Sequence, residues 1–242
     1  MMKFANELIR YIYDFGWSET VYYGIVVAAF FMQLVFLLWY GKKYQISKRE
    51  TVITLVIVYP SAYFLVVLLT WIENGFTGWG SNNIVRLFVY VPLIALFVAK
   101  LLKKKALLLC DYIAPSMSVE HAVAHSVCPF SGCCRGYEYP NGIWNPKTET
   151  YVFPNQWLEC LVAFVIFLIL LYLAKKEGYS GKGKIYPIFL ILFGSTRFFL
   201  EFLRDNEKLF WGISGLALHA VFMVVVGVIW IYILHKKEYS KI

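Results

Sequence analysis

The chain has 242 residues, 60% hydrophobic and 19% aromatic, with a formal net charge of +8. A soluble domain of that composition would leave far too much apolar surface in water, so the chain reads as a polytopic membrane protein. The positive charge does not indicate nucleic acid, because the basic residues sit in short clusters between apolar runs, which is a topology pattern.

The first 19 residues carry Lys3, Glu7, Arg10, Asp14 and Glu19 and lack the apolar core and small-residue site of a cleavable signal. Met1 to Phe15 is expected as an amphipathic helix on the membrane surface, with Phe4, Leu8, Ile9, Tyr11 and Ile12 toward lipid. Seven apolar spans follow: Val21–Tyr40, Val52–Trp71 (with Pro60 as an expected kink), Ile84–Leu102, about Leu107–Val127, Trp157–Ala174, Ile185–Leu203 and Trp211–Leu234. The fourth is interrupted by Asp111, Pro115, Glu120, His121 and His125, and hydropathy alone would reject it.

Charge decides for keeping it. With seven spans and the N-terminus outside, the inner side carries Lys42, Lys43, Lys48 and Arg49, then Lys100, Lys103, Lys104 and Lys105. Lys175, Lys176, Lys182, Lys184, Lys236, Lys237 and Lys241 complete fifteen of the 23 basic residues. Dropping the fourth span would put the Lys103 and Lys175 clusters on opposite faces, against the positive-inside rule. The expected fold is therefore all-α, one transmembrane domain over residues 1–242 with seven helices, N-terminus out and C-terminus in. Residues 1–19 form its interfacial helix and 128–156 its polar outer loop. Gly181, Gly183 and Ser180 read as a flexible inner turn.

Chemistry concentrates between Asp111 and Glu159, which holds three of the five cysteines and two of the four histidines. Polar groups at membrane depth are costly and usually functional. His121 and His125, four apart, share a helix face. A metal pair, a general base near neutral pH and hydrogen-bonded core imidazoles are all compatible with them. Cys128, Cys133 and Cys134 add soft ligands, but the spacing matches no strong metal motif, and no metal or cofactor is assigned. A Cys128 disulfide to either neighbour, a nucleophilic thiol and plain packing stay open for these three; Cys110 and Cys160 read as packing. Gly132 and Gly136 suit tight turns or close approach to a headgroup.

Arg197, Glu201 and Arg204 fall at i, i+4 and i+7, a +, −, + stripe amid Phe and Leu. Such a stripe either fixes packing as an intramembrane ion pair or clamps an anionic group, and guanidinium forks suit phosphate oxygens. Tyr23 lies at the outer start of the first span. Gly80, Ser81, Asn82 and Asn83 form a polar patch beside Arg86 that could line the same cavity.

In order along the chain, Tyr23-Gly24, Asp111-x-x-Ala114-Pro115, Ala124 to Gly136, Pro154-x-Gln156-x-x-Glu159, Arg197-Phe198-x-x-Glu201-x-x-Arg204 and Ser214-Gly215 resemble the motifs of the prolipoprotein diacylglyceryl transferase family. The resemblance implies a seven-helix bacterial cell-membrane enzyme that moves diacylglyceryl from phosphatidylglycerol to a prolipoprotein cysteine thiol, at a site open to the outer leaflet. With it, Arg197 and Glu201 are expected as catalytic, and His125, or His121, would stand in as the base. It implies Tyr23, Asn82, Asn83, Arg86, Asp111, Cys128, Gly132, Cys133, Cys134, Gly136, Gln156, Glu159 and Arg204 as substrate-binding. The implied partners are an anionic phospholipid, a prolipoprotein or other acceptor, and the membrane, with no nucleic acid.

The sequence also departs from the pattern. His125 stands where the family has Arg, Val127 where it has Gly, Cys128 where it has Asn and Cys133 where it has an acidic residue. The family's His-Gly-Gly near the third helix is absent, with Asn82, Asn83 and Arg86 roughly in its place, and the Gln after Ser214-Gly215 is missing. A family-derived lipid-binding or membrane-assembly protein without catalysis is the rival expectation. A transporter is disfavoured by the lack of an internal repeat.

Overall fold

The computed structural model describes residues 2–73, 75–77, 84–205 and 213–239. Over them the chain forms α1 (Met2–Asp14), α2 (Ser18–Tyr40), α3 (Lys48–Glu73), α4 (Ile84–Leu102), α5 (Ala106–His125), the one-turn α6 (Cys128–Ser131), β1 (Glu138–Asn145), β2 (Thr150–Val152), α7 (Asn155–Lys175), α8 (Ile185–Glu201) and α9 (Gly215–Tyr239). A helix lies over each segment drawn as a span, and α3 runs through Pro60. Four helical stretches are long and apolar enough to cross a membrane: Ser18–Tyr44, Lys48–Ile72, Asn155–Lys175 and Gly215–Lys237. Asn82, Asn83, Gly80 and Ser81 lie outside the described residues.

The polar character of α5 follows from its position. It packs against α2, α4, α7 and α8, and most of its residues from Leu109 to Ala124 are buried. Its polar side chains therefore meet protein rather than lipid, which is why a hydropathy window undervalues it. Large side chains such as Val35, Trp39, Val56, Phe97, Leu161 and Tyr232 point outward instead.

At one end of the bundle, Lys104 Nζ donates to Gln45 O (2.8 Å), Lys43 Nζ donates to Ala174 O, and Asp111 accepts the backbone N–H groups of Gly183 (2.7 Å), Ile185 (2.9 Å) and Tyr186 (3.1 Å). The fully buried Asp111 thus caps the start of α8. This places it away from the other residues expected to bind substrate. Fourteen residues of helix, about 21 Å at 1.5 Å per residue, separate it from His125, and its oxygens are taken up by backbone.

The opposite end carries α1 and the hairpin. Residues 128–156 are not a plain loop: Ile143 pairs with Val152, Trp144 with Tyr151 and Asn145 with Thr150 in an antiparallel ribbon. Its turn is set by Asn145, whose Oδ1 accepts from the N–H of Lys147 (2.9 Å) and Thr148 (3.2 Å). Ile9, expected to face lipid, is buried against Ile143, Trp144 and Val152. Asn6 ties α1 to the same hairpin, donating to Gly142 O (3.2 Å) and accepting from Trp144 N (2.8 Å). Phe4, Leu8 and Tyr11 remain exposed.

Candidate active site

The hairpin end gathers the starts of α2 and α7 with the ends of α5 and α8. There the stripe Arg197–Glu201–Arg204 meets Glu159 from α7. Arg197 Nη1 is 2.7 Å from Glu159 Oε2, and Arg197 Nη2 is 3.1 Å from Glu201 Oε2. Arg204 grips Glu159 with a fork, Nε to Oε1 at 2.8 Å and Nη2 to Oε2 at 2.9 Å. Asn155 Nδ2 donates to Glu159 Oε1 (2.7 Å), and Ser214 Oγ donates to Glu201 Oε1 (2.9 Å). All four charged residues are buried. Two cations against two anions make the group neutral as a whole, the condition for holding ions in so dry a place.

The imidazoles adjoin this network. His125 Nδ1 is 3.2 Å from Glu159 Oε2, and the His121 and His125 rings lie 4.0 Å apart. A void of about 10 Å³, room for about one water, is lined by His121, Glu159, Thr196 and Arg197 among others. Among the described residues, several buried polar atoms of this cluster have no hydrogen-bond partner: His121 Nδ1, His125 Nδ1, Arg197 Nε, Asn155 Oδ1 and Gln156 Oε1. Unsatisfied groups in such number are unusual in a structural core. Of the two arrangements left open for the stripe, ion pair and anion clamp, the geometry is that of the ion pair: both guanidinium groups are packed against carboxylates, because Glu159, four residues inside α7, lies directly opposite them.

The thiols form the next layer. His125, Cys128 and Cys134 each place a ligand atom within 4.8 Å of the other two. The Cys133 thiol donates to Cys128 O (3.8 Å) and accepts from Ser131 Oγ (3.0 Å). All five cysteines are free thiols. Hydrogen bonds from Cys128 and Cys133, with the Arg204 guanidinium nearby, hold the Cys134 thiol well below the usual range, while the Cys128 thiol is pushed up. Gln156 Nε2 donates to Cys133 O (2.9 Å), and Asn145 Nδ2 donates to Gly132 O (3.2 Å), so the cysteine turn is held from both sides.

The two glycines belong to that turn rather than to a headgroup. Gly132 has φ of +66°, and a Cβ there would come within 2.9 Å of Asn145 Oδ1. A Cβ on Gly136 would come within 2.6 Å of Phe153 O, since Gly136 bridges to Arg204 across a strand-like contact. The close approach is to the chain's own backbone.

On the other side of Cys133 opens a cavity of about 560 Å³, lined by Tyr22, Tyr23, Phe130, Ser131, Cys133 and Lys147 among others. Tyr23 and Cys133 thus share a wall. Arg86 projects from α4 toward α3, its Nη1 3.4 Å from Thr70 Oγ1. The sequence reading left out Asn155 and Ser214 as site residues. Asn155 could have been found one helical turn before Glu159; Ser214 was marked only by the Ser214-Gly215 motif, and its pairing with Glu201, 13 residues away, has no local signal.

The fold and this buried Arg–Glu–His network define a predominantly helical membrane protein with one polar centre. The chain belongs to the prolipoprotein diacylglyceryl transferase family, whose model matches residues 11–233. It is 26% identical over 146 residues to phosphatidylglycerol–prolipoprotein diacylglyceryl transferase 2 of Clostridium perfringens, covering 57% of this chain and 56% of that protein. It is 23% identical over 147 residues to the corresponding transferase of Clostridium tetani, covering 56% and 54%. With the transferase of Finegoldia magna it shares 33% over 90 residues, covering 37% and 36%. The chain therefore spans little more than half the length of the first two of these relatives.

Proposed function

We propose that the protein transfers diacylglyceryl from phosphatidylglycerol to the thiol of a prolipoprotein cysteine or a related acceptor. It would act as a single seven-helix domain of a bacterial cell membrane, N-terminus out, with its site toward the outer leaflet. The observation that carries this reading is the convergence of Arg197, Arg204, Glu159 and His125 from three helices in a chain of this family. The acceptor thiol enters by the 560 Å³ cavity beside Tyr23 and Cys133. Its proton leaves for the imidazole of His125, which Glu159 orients and stabilises when charged. The sulfur attacks the glycerol carbon, the carbon–oxygen bond to phosphate breaks, and glycerol phosphate departs with that electron pair. Arg197 and Arg204 stabilise the charge on the leaving phosphate, which competes with Glu159 for their N–H groups.

A second reading has its own support. Both guanidinium groups are neutralised, and the space beside them holds about one water. A lipid-binding or membrane-assembly protein that has lost catalysis would keep such a network for packing alone.

Purified protein incubated with phosphatidylglycerol labelled in its diacylglyceryl part and a cysteine-bearing lipobox peptide decides between them. Transfer readable by mass, lost at least 100-fold in Arg197→Ala and in the better-tolerated Arg197→Lys, is expected. No transfer to any thiol or hydroxyl acceptor, with lipid still bound, favours the second reading.

A further inference from the structure

The cysteine turn offers two thiols that the transfer reaction does not use, beside the imidazole of His125 that it does. We propose that His125, Cys128 and Cys134 form a three-ligand site for a soft divalent cation of the zinc class.

The geometry is near what such an ion demands. The three ligand atoms already lie within 4.8 Å of one another. Tetrahedral zinc with bonds of about 2.3 Å puts two sulfurs about 3.8 Å apart, so closure needs a movement of about 1 Å. The turn is built to face inward. Cys134 has φ of +54°, a conformation that non-glycine residues seldom adopt. It follows the left-handed Gly132, whose place is fixed by Asn145.

The second shell holds the kind of group that metal-binding histidines commonly use. His125 Nδ1 lies 3.2 Å from Glu159 Oε2, outside hydrogen-bond geometry, so the carboxylate sits where a metal-bound imidazole could turn to meet it. Charge agrees as well: two thiolates balance a divalent ion, and the neighbouring Arg–Glu network is already neutral by itself. The alternative cluster of His121, His125 and Glu159 is a poor cation site. Glu159 has both its oxygens engaged by guanidinium groups, whose charge repels a metal. Soft sulfur ligands with imidazole select zinc-class ions over magnesium or calcium.

Three protein ligands leave a fourth position open. Resting on the transfer reading for this consequence only, that position would hold the acceptor sulfur as a thiolate, because a coordinated thiol is deprotonated outright. With the imidazole bound to the ion, the acceptor proton would pass to water, in place of the direct transfer to His125 that the metal-free site would use.

The test needs neither lipid nor acceptor, so its outcome is separate from that of the transfer assay. Full-length protein purified in detergent under reductant is stripped with chelator and titrated with Co²⁺, then with Zn²⁺ in competition. One equivalent of Co²⁺ is expected to give thiolate-to-metal charge-transfer absorption and intense tetrahedral d–d bands, displaced by Zn²⁺. Cys134→Ser and Cys128→Ser are expected to weaken Co²⁺ binding at least 100-fold, and Cys160→Ser to leave it unchanged. Thermal unfolding of each variant in the stripped state shows that it is folded before titration. Absence of the charge-transfer band in stripped wild-type protein overturns the site. So does its persistence in a folded Cys128→Ser/Cys134→Ser double variant.

Discussion

Two buried carboxylates, Asp111 on α5 and Glu159 on α7, are held at opposite ends of the bundle in opposite ways. Asp111 accepts three backbone N–H groups from one short segment, 183–186, and leaves no unsatisfied polar atom around it among the described residues. Glu159 is surrounded by side chains, two of them charged, and those partners or their neighbours keep spare polar atoms: Arg197 Nε, Asn155 Oδ1 and His121 Nδ1. Backbone dipoles fix a carboxylate once and for all. Mobile charged side chains can exchange one anion for another, as a phosphate-handling site requires. On the proposed function, the contrast would separate a structural acid from a working one better than burial does, since both are buried.

The largest effect that would sharpen the contrast comes from Glu159→Ala. Removing this carboxylate leaves two buried guanidinium groups facing Glu201 alone. Breaking a buried ion pair in this way costs about 3–5 kcal/mol, so unfolding in detergent by denaturant is expected to shift by that amount, with a matching loss of yield. A change below about 1 kcal/mol, the scale of an exposed pair, would mean that the network is wet and open, and the account of a dry neutral cluster would fail.

Asn155→Ala is the intermediate case. It deletes one hydrogen bond to a charged oxygen, worth about 1.5–3 kcal/mol, and frees Glu159 Oε1 on that side while leaving both arginines in place. Stability is expected to fall by that amount. Transfer should fall further than stability explains, through kcat, because the anchor that sets the Glu159 rotamer is gone. Equal losses in folded fraction and activity would make Asn155 a packing residue only.

How much of this was legible in the sequence differs between the same two regions. Apolar runs located the helices, but α5 was recovered through charge topology, since its polar residues face other helices. The Arg197–Glu201–Arg204 stripe is local, so helical spacing displays it. Its pairing with Glu159 is not local: it depends on α7 lying against α8, and spacing alone left ion pair and anion clamp both open. The turn Asn145-Pro146-Lys147-Thr148 between Ile143-Trp144 and Thr150-Tyr151-Val152 carried a hairpin signal, which a reading dominated by helices passed over. Ile9 was set toward lipid for the same reason, because the hairpin that covers it was not foreseen. Asp111 was set among the substrate-binding residues by a family motif and by a general rule. Buried acids in membrane proteins are usually functional, and nothing local reveals that residues 183–186 come back to cap it.

The smallest expected effect tests that last point. Asp111→Asn keeps a side-chain oxygen able to accept from Gly183, Ile185 or Tyr186, but removes the charge and one acceptor. Weakening a helix cap costs about 0.5–2 kcal/mol, and here the cost falls on the start of α8, about 21 Å along α5 from His125. The variant is therefore expected to unfold slightly earlier in denaturant while each folded molecule keeps the wild-type KM and kcat for transfer. A substrate-binding aspartate would behave in the reverse manner, with stability nearly unchanged and KM raised, because its charge would be needed by a ligand rather than by the N–H groups of the protein itself. Seeing that pattern would erase the distinction between the two carboxylates and return Asp111 to the site.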